Sequence, residues 1–327
     1  RGMAPGANLV SVRVLDENGA GTASTVVAGL EWVIANKDRY GIRVVSLSLG
    51  HPIYEPAHLD PLVRAVDTAW HSGLVVVVSA GNRGADGHFT VNSPGNSRHA
   101  VTVGSVTDWN TPRSNDDRIS SFSSLGPTVA LPGQNILKPD MVSPGNRIVS
   151  LRSAGSTLDT TFPENRVRAR GSQVDPYFEL SGTSMATPLV AGVVALMLEA
   201  EPGLSNHTVK ARLMASADKE IDPSPFKRGA GMLDVAALMA ERGHADCALS
   251  PRVLRGKAEG EIHVEEVGEL WGVAALWSDA ALWSDAALWS VAALWSDAAL
   301  WSDAALWSDA ALWSDAALWS DSLPEPD

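Results

Sequence analysis

The run LVVVV, residues 74–78, narrows the fold more than any other stretch of this 327-residue chain. Five consecutive apolar residues cannot alternate between a wet and a dry face. A strand here must be covered on both sides, which is the pattern of a central strand in a parallel sheet. Its surroundings fit. Residues 9–15 (LVSVRVL), 43–49 and 100–106 also read as strands, and DENGAG at 16–21 as a turn. Between them, residues 22–41 place Val26, Val27, Leu30, Val33 and Ile34 at helical spacing, and residues 61–73 read as a second helix. Strand–helix alternation predicts an α/β domain with a mostly parallel sheet and helices on both faces. Residues 108–179, rich in Ser, Pro and Gly, predict long surface loops with short strands. Residues 189–203 read as a helix apolar on nearly every side, hence central, ending at Pro202-Gly203. A shorter helix follows over 206–217, and GAGMLDVAALMAE closes the domain near residue 243.

Charge separates the rest of the chain from this body. Residues 271–327 hold eight Asp and one Glu with no Lys or Arg, −9 of the formal −13. The remainder is close to neutral, which argues against a nucleic-acid partner. No apolar run reaches the roughly 18–20 residues of a membrane span. Cys247 is the single cysteine, so no intrachain disulfide can form. Residues 244–270 are polar and charged and read as a linker. From 271 to 321 the chain is an ALWSDA hexapeptide repeat carrying nine of its twelve Trp, followed by a tail at 322–327. A six-residue step turns about 240° on a helix and scatters Trp around the cylinder, whereas on a strand every Trp shares one face. Low-order repeat and hexapeptide solenoid are the two readings, in that order. So dense a set of Trp suits cell-wall, glycan or self-association contacts.

Chemistry concentrates at ELSGTSMATPLVAG, residues 179–192. Ser184 stands at the start of the buried helix, where backbone N–H groups and the positive dipole end gather. Gly182 leaves room for close approach, and Pro188 suits a helix's first turn. Taken alone, Ser181, Thr183 and Ser184 could equally be caps. The buried strand, however, ends in SAGN. That places Asn82 at the carboxyl end of a parallel strand, where ligands bind in open α/β sheets, with an amide able to donate to a developing oxyanion.

The chain resembles the subtilisin-like serine peptidases over residues 1 to about 243. The segments that carry the likeness run in the family's order: GMAPGANLVSVRVLD, GLEWV, VVSLSLG, VVVVSAGN, SPGN, SFSSLGP, KPDMVSPG, GTSMATP and GAGMLDVAAL. The resemblance implies the family's three-layer α/β fold and serine endopeptidase activity on peptide or protein substrates. Extracellular or cell-surface residence is implied too. Ser184 is then the nucleophile, and Asn82 with the Ser184 backbone N–H the oxyanion hole. Gly19, Ala20 and Gly21 on one side and Ser48, Leu49 and Gly50 on the other are expected to bind an extended peptide by its backbone. Ser79, Ala80 and Gly81 would wall the specificity pocket, with Asn92 near its floor, Gly95 on its rim and Thr183 alongside. Uncharged Asn92 gives no reason to expect selection for basic side chains. Ser93-Pro94 matches a position where the family often has a cis bond.

The departures concern the other catalytic groups. The family's Asp lies in a D-[ST]-G strand and its His in an H-G-T-H-V-A-G helix, both ahead of the segment with which this chain begins. They are expected upstream of Arg1, leaving these 327 residues an incomplete domain, inactive alone. None of the eight His substitutes: His51 and His88 read as solvated loop residues. Asp16 and Asp159 stand in LDE and LDT rather than DTG, and Leu189 replaces a further, non-catalytic His. No cofactor is evident in the sequence. The family's calcium sites that depend on the early domain are expected to be absent or incomplete. The alternative reading is a non-proteolytic peptide-binding or adhesion protein on the same scaffold.

Overall fold

A computed structural model describes residues 2–131, 134–171, 173–255, 262–265 and 311–313. In chain order the strands and helices are β1 (Ala20–Thr22), α1 (Ala23–Tyr40), β2 (Val44–Leu47), α2 (Pro61–His71), β3 (Val75–Ser79), β4 (Val101–Thr107), β5 (Arg118–Ile119), β6 (Thr128–Leu131), β7 (Gln134–Ile136), β8 (Met141–Pro144) and β9 (Ile148–Leu151). They continue with α3 (Thr157–Thr161), β10 (Arg166–Val167), β11 (Tyr177–Leu180), α4 (Thr183–Ala200), α5 (Asn206–Ser216), α6 (Pro225–Arg228), α7 (Val235–Ala240), β12 (Arg252–Arg255), β13 (Ile262–Glu265) and β14 (Ala311–Trp313). Most of the ALWSDA repeat, residues 271–310 and 314–321, lies outside the described residues.

The core sheet runs β2-β3-β4-β8 in parallel, with β5 antiparallel on β4. Every residue of β3 is buried, as the uniform valine run requires of a strand covered on both faces. Helix α4 packs against all four parallel strands, while α2 packs on β3 and α1 on α2. Among the described helices α4 alone is long and apolar enough to cross a bilayer, yet it is the central helix of this core.

Local signals explain the boundaries. The Thr22 side chain accepts from the Thr25 N–H to start α1, and Gly41, at φ 64°, ends it in the left-handed conformation. Asp60 starts α2 by accepting from the Leu62 and Val63 N–H groups, with Pro61 in the first turn.

Two expectations need correction. Residues 9–14 form no strand pairing among the described residues. A strand pattern becomes a strand only where a neighbour offers backbone partners. Here the nearest sheet edge, β2, is set apart by an apolar groove of about 510 Å³ lined by Val10, Val12 and Val14 on one side and Val44, Val45 and Leu47 on the other. The second correction concerns 244–270. Residues 252–255 are β12, antiparallel to β7, and Ala248, Ser250 and Val253 are buried. Ser250 is held by a fully buried ionic cluster: its hydroxyl donates to Asp140 at 2.6 Å, and Asp140 also pairs with Lys138 at 2.6 Å and Lys210 at 3.4 Å. Residues 244–255 of the expected linker therefore continue the folded body, while 256–261 and 266–270 lie outside the described residues.

Candidate active site

Helix α4 begins earlier than its apolar stretch suggests. Thr183 is its first residue and Gly182 precedes it without any side-chain cap. Ser181 accepts from the Arg147 N–H instead, so the capping reading of these hydroxyls does not hold. Starting the helix at Thr183 also moves Pro188 out of the first turn into the helix interior. There its missing N–H leaves the Ser184 carbonyl without its i+4 donor. The Ser48 hydroxyl takes that place, donating to the Ser184 oxygen at 2.9 Å. This bond ties the expected peptide-binding segment 48–50 to the nucleophile's own backbone. The sequence signal was present: a proline four residues after the serine marks an open carbonyl.

Thr183 fixes the neighbouring amide. Its N–H and its hydroxyl both donate to Asn82 Oδ1, at 2.9 and 3.1 Å, and its Oγ1 accepts from the Gly81 N–H at 3.2 Å. Two donors on one oxygen settle which end of the Asn82 amide is which. Thr183 is fully buried and positions Asn82. The Asn82 nitrogen then faces the space above Gly182. A Cβ placed at Gly182 would lie 3.3 Å from Asn82 Nδ2 and 3.7 Å from the Ser184 nitrogen. The two donors thus converge on a point that only glycine, here at φ 153°, keeps open. The Ser184 N–H has no partner among the described residues, and the Ser184 Oγ is buried and without a hydrogen bond. A site with two such donors and a hydroxyl can stabilise an oxyanion beside a nucleophile. Among the described residues no base is bonded to the hydroxyl to take its proton.

The pocket residues come together next to this point. In the orientation that satisfies both ends of its amide, the Asn92 nitrogen donates to the Ala80 and Ser79 carbonyls at 3.1 and 3.3 Å. A Cβ at Gly50 would meet that amide at 2.5 Å, and one at Gly81 at 3.1 Å. Asn92 therefore fills the gap between the two walls. Ser79, Ala80, Gly81, Leu49, Gly50 and Gly95 are all buried around it, and Ser93-Pro94 is cis. Asp16 accepts from the Asn18 and Ala20 N–H groups, which places Gly19 in the turn that leads into β1 at Ala20 and Gly21 and holds the Asp16 carboxyl below its ordinary range. That edge is occupied: β14 pairs with it antiparallel, Ala20 opposite Trp313 and Gly21 opposite Leu312.

The rejected substitutes stay rejected, for different reasons. His51 is buried rather than solvated, and His88 is half-buried with Nδ1 on the Gly126 carbonyl at 2.6 Å. Asp159 is locked between Arg152 and Arg166, whose hydrogen bonds hold its carboxyl far below the usual range. Among the described residues no group of three or more His, Cys, Asp or Glu converges to hold a metal.

The sequence profile of the subtilase family, peptidase S8, matches residues 1–232. The chain belongs to the subtilase family. It is 46% identical over 239 residues to the serine protease AprX of Bacillus subtilis (strain 168), covering 72% of this chain and 52% of AprX. It is 35% identical over 237 residues to subtilisin DY of Bacillus licheniformis, covering 72% and 69%. It thus spans about half the length of AprX. Among solved structures, a cold adapted subtilisin-like serine proteinase superposes with a TM-score of 0.50 at 31% identity over 71% of this subtilase and 67% of that chain. Fervidolysin from Fervidobacterium pennivorans, a keratinolytic enzyme related to subtilisin, shares the fold with a TM-score of 0.51 at 23% identity over 67% and 29%.

Proposed function

We propose that this subtilase chain carries the nucleophile and oxyanion hole of a secreted serine endopeptidase, acting on extended peptides through an acyl-enzyme on Ser184. The observation that carries the reading is the convergence of Asn82 Nδ2 and the Ser184 N–H on one open point over Gly182, beside the Ser184 hydroxyl. Among the described residues no base is bonded to the Ser184 hydroxyl, so this reading requires a base and its carboxylate from residues other than those described. Asn92, spanning the pocket between Gly50 and Gly81, is uncharged, so no selection for basic side chains is expected at the cleavage position. The test is to read the coding DNA ahead of Arg1 and to label its full product with a fluorophosphonate, with Ser184→Ala as control. Labelling at Ser184 is expected. An unlabelled, folded product leaves the alternative, a non-proteolytic peptide-binding or adhesion protein.

For the repeat we propose self-association ahead of cell-wall or glycan contacts. The antiparallel pairing of Ala311–Trp313 on Ala20–Thr22 favours it, because one copy of ALW already occupies an edge strand of this fold.

A further inference from the structure

Between segment 48–50 and helix α2 lies a group of titratable side chains that the proposed chemistry does not use. His51, Glu55 and Asp60 are each under 9% exposed. His51 sits at a junction. Its N–H donates to the Ser93 carbonyl at 3.0 Å and its carbonyl accepts from the Ser93 N–H at 2.9 Å. This reciprocal pair clamps the peptide-binding segment ending at Gly50 to the pocket segment Asn92–Ser93.

The side chain of His51 is equally constrained. Its Nδ1 lies 2.7 Å from the Pro52 carbonyl, which can only accept, so Nδ1 carries a proton. Its Nε2 faces Asp60 Oδ2 at 3.9 Å. The Oδ1 of Asp60 caps α2, but its Oδ2 is buried with no hydrogen-bond partner. Tyr54 stacks on the imidazole, ring centres 5.5 Å apart, and covers it from solvent. The charged group that acts on Glu55 is Asp60, the residue that caps α2. An unpaired buried carboxylate oxygen, a histidine nitrogen turned toward it and a second buried carboxyl form an arrangement that needs a proton among them.

We propose that His51, Glu55 and Asp60 are positioning residues for the peptide cleft: a proton kept among them holds the Gly50–His51 to Asn92–Ser93 clamp closed, and releasing it to solvent loosens the clamp. The inference rests on the peptidase reading only in calling this cleft a peptide site. The direction of the pH effect follows from Glu55, whose carboxyl is pushed up to about 7, by burial first and by the charge of Asp60 second. Below that pH the cluster holds its proton and the clamp is closed; above it two carboxylates face each other in a dry site and the clamp loosens.

The test uses the full 327-residue chain, with Glu55→Gln and Asp60→Asn as variants that keep shape and remove a charge. Amide hydrogen exchange is followed by mass spectrometry from about pH 6 to 8.5, bracketing the Glu55 titration and scaled for the intrinsic exchange rate. In parallel, binding of a fluorescein-labelled Ala-Ala-Pro-Leu amide is read by anisotropy. In the unsubstituted chain, protection of segments 48–53 and 91–95 is expected to fall several-fold across this range, with affinity falling alongside. In both variants the two curves are expected to be flat at the low-pH level. The same pH course in the unsubstituted chain and in either folded variant overturns the proposal. A protection change without peptide binding at any pH leaves the clamp standing and counts against the peptidase reading of the cleft instead.

Discussion

The bond from Ser48 to the Ser184 carbonyl can be tested by a double-mutant cycle. Pro188 removes the N–H that would reach that carbonyl, and Ser48 supplies a hydroxyl at 2.9 Å in its place. Ser48→Ala leaves a largely buried carbonyl unpaired, at a cost of about 1–3 kcal/mol. For a domain of this size, roughly 2–4 °C of Tm accompanies each kcal/mol, so the loss amounts to about 2–12 °C. Pro188→Ala returns an N–H to the helix and relieves the clash of the proline ring with the preceding turn. Its effect is expected to be neutral to stabilising. The informative quantity is the double variant. Once the new backbone N–H at position 188 donates to the Ser184 oxygen, the Ser48 hydroxyl is redundant, and Ser48→Ala costs at least about 1 kcal/mol less than in the parent. Urea melting of the four proteins at one pH measures it. Additivity within about 0.5 kcal/mol would refute the claim that the proline is what makes Ser48 necessary.

Three further expectations concern the body of the domain and its tail. Asp140→Asn strands two fully buried ammonium groups, Lys138 and Lys210, and is expected to cost about 3–5 kcal/mol, seen as a Tm fall of roughly 6–20 °C; a fall under about 3 °C would show that the cluster relaxes onto water or other partners. Burial pushes the Lys210 ammonium down to about 7 against the pull of Asp140. The unfolded chain therefore holds that proton to higher pH than the folded one, stability rises as pH climbs from about 7 toward 10, and Lys210→Met flattens the rise in a thermal-melt series. Removing residues 271–327 uncovers the β1 edge, so anisotropy with the same labelled peptide is expected to report tighter binding; unchanged affinity in the shortened chain would place the repeat elsewhere.

What the sequence revealed and what it concealed divide along a physical line. The LVVVV run announced β3 because burial on both faces needs nothing but apolar side chains, and Asp60-Pro61 announced α2 because a cap is a local bond. Ser184, Asn82 and the pocket segments were legible as a family pattern. The sequence did not reveal how they are held. Thr183 anchoring the Asn82 oxygen and Ser48 serving the Ser184 carbonyl are contacts across 101 and 136 residues, which no local pattern encodes. Burial of His51 was missed for a similar reason: a histidine between glycine and proline reads as loop until Tyr54 and α2 close over it. The polar run 244–270 concealed β12 because its apolar contribution is little more than Val253, while its polar Ser250 is buried against the distant charge of Asp140.

The unpaired segment 9–14 and the missing base can be connected by one argument. Parallel strands deliver their carboxyl ends to the same side of a sheet, where Asn82 follows β3 and Ser48–Gly50 follows β2. The groove beside β2 has an open parallel edge on one wall and the valines of 9–14 on the other. An extended apolar segment laid there parallel to β2 has backbone partners on β2 and apolar partners in Val10, Val12 and Val14, and its carboxyl end points to the side of the sheet where Asn82 and Ser48–Gly50 lie. If the proposed function holds, an upstream segment of this kind supplied in trans protects the amides of 9–14 and Val44–Leu47 from exchange together. Protection of Val44–Leu47 alone would mean the segment pairs with β2 but leaves 9–14 outside the sheet. No protection of either would separate the groove from the chemistry and leave Ser184 to find its base by another route.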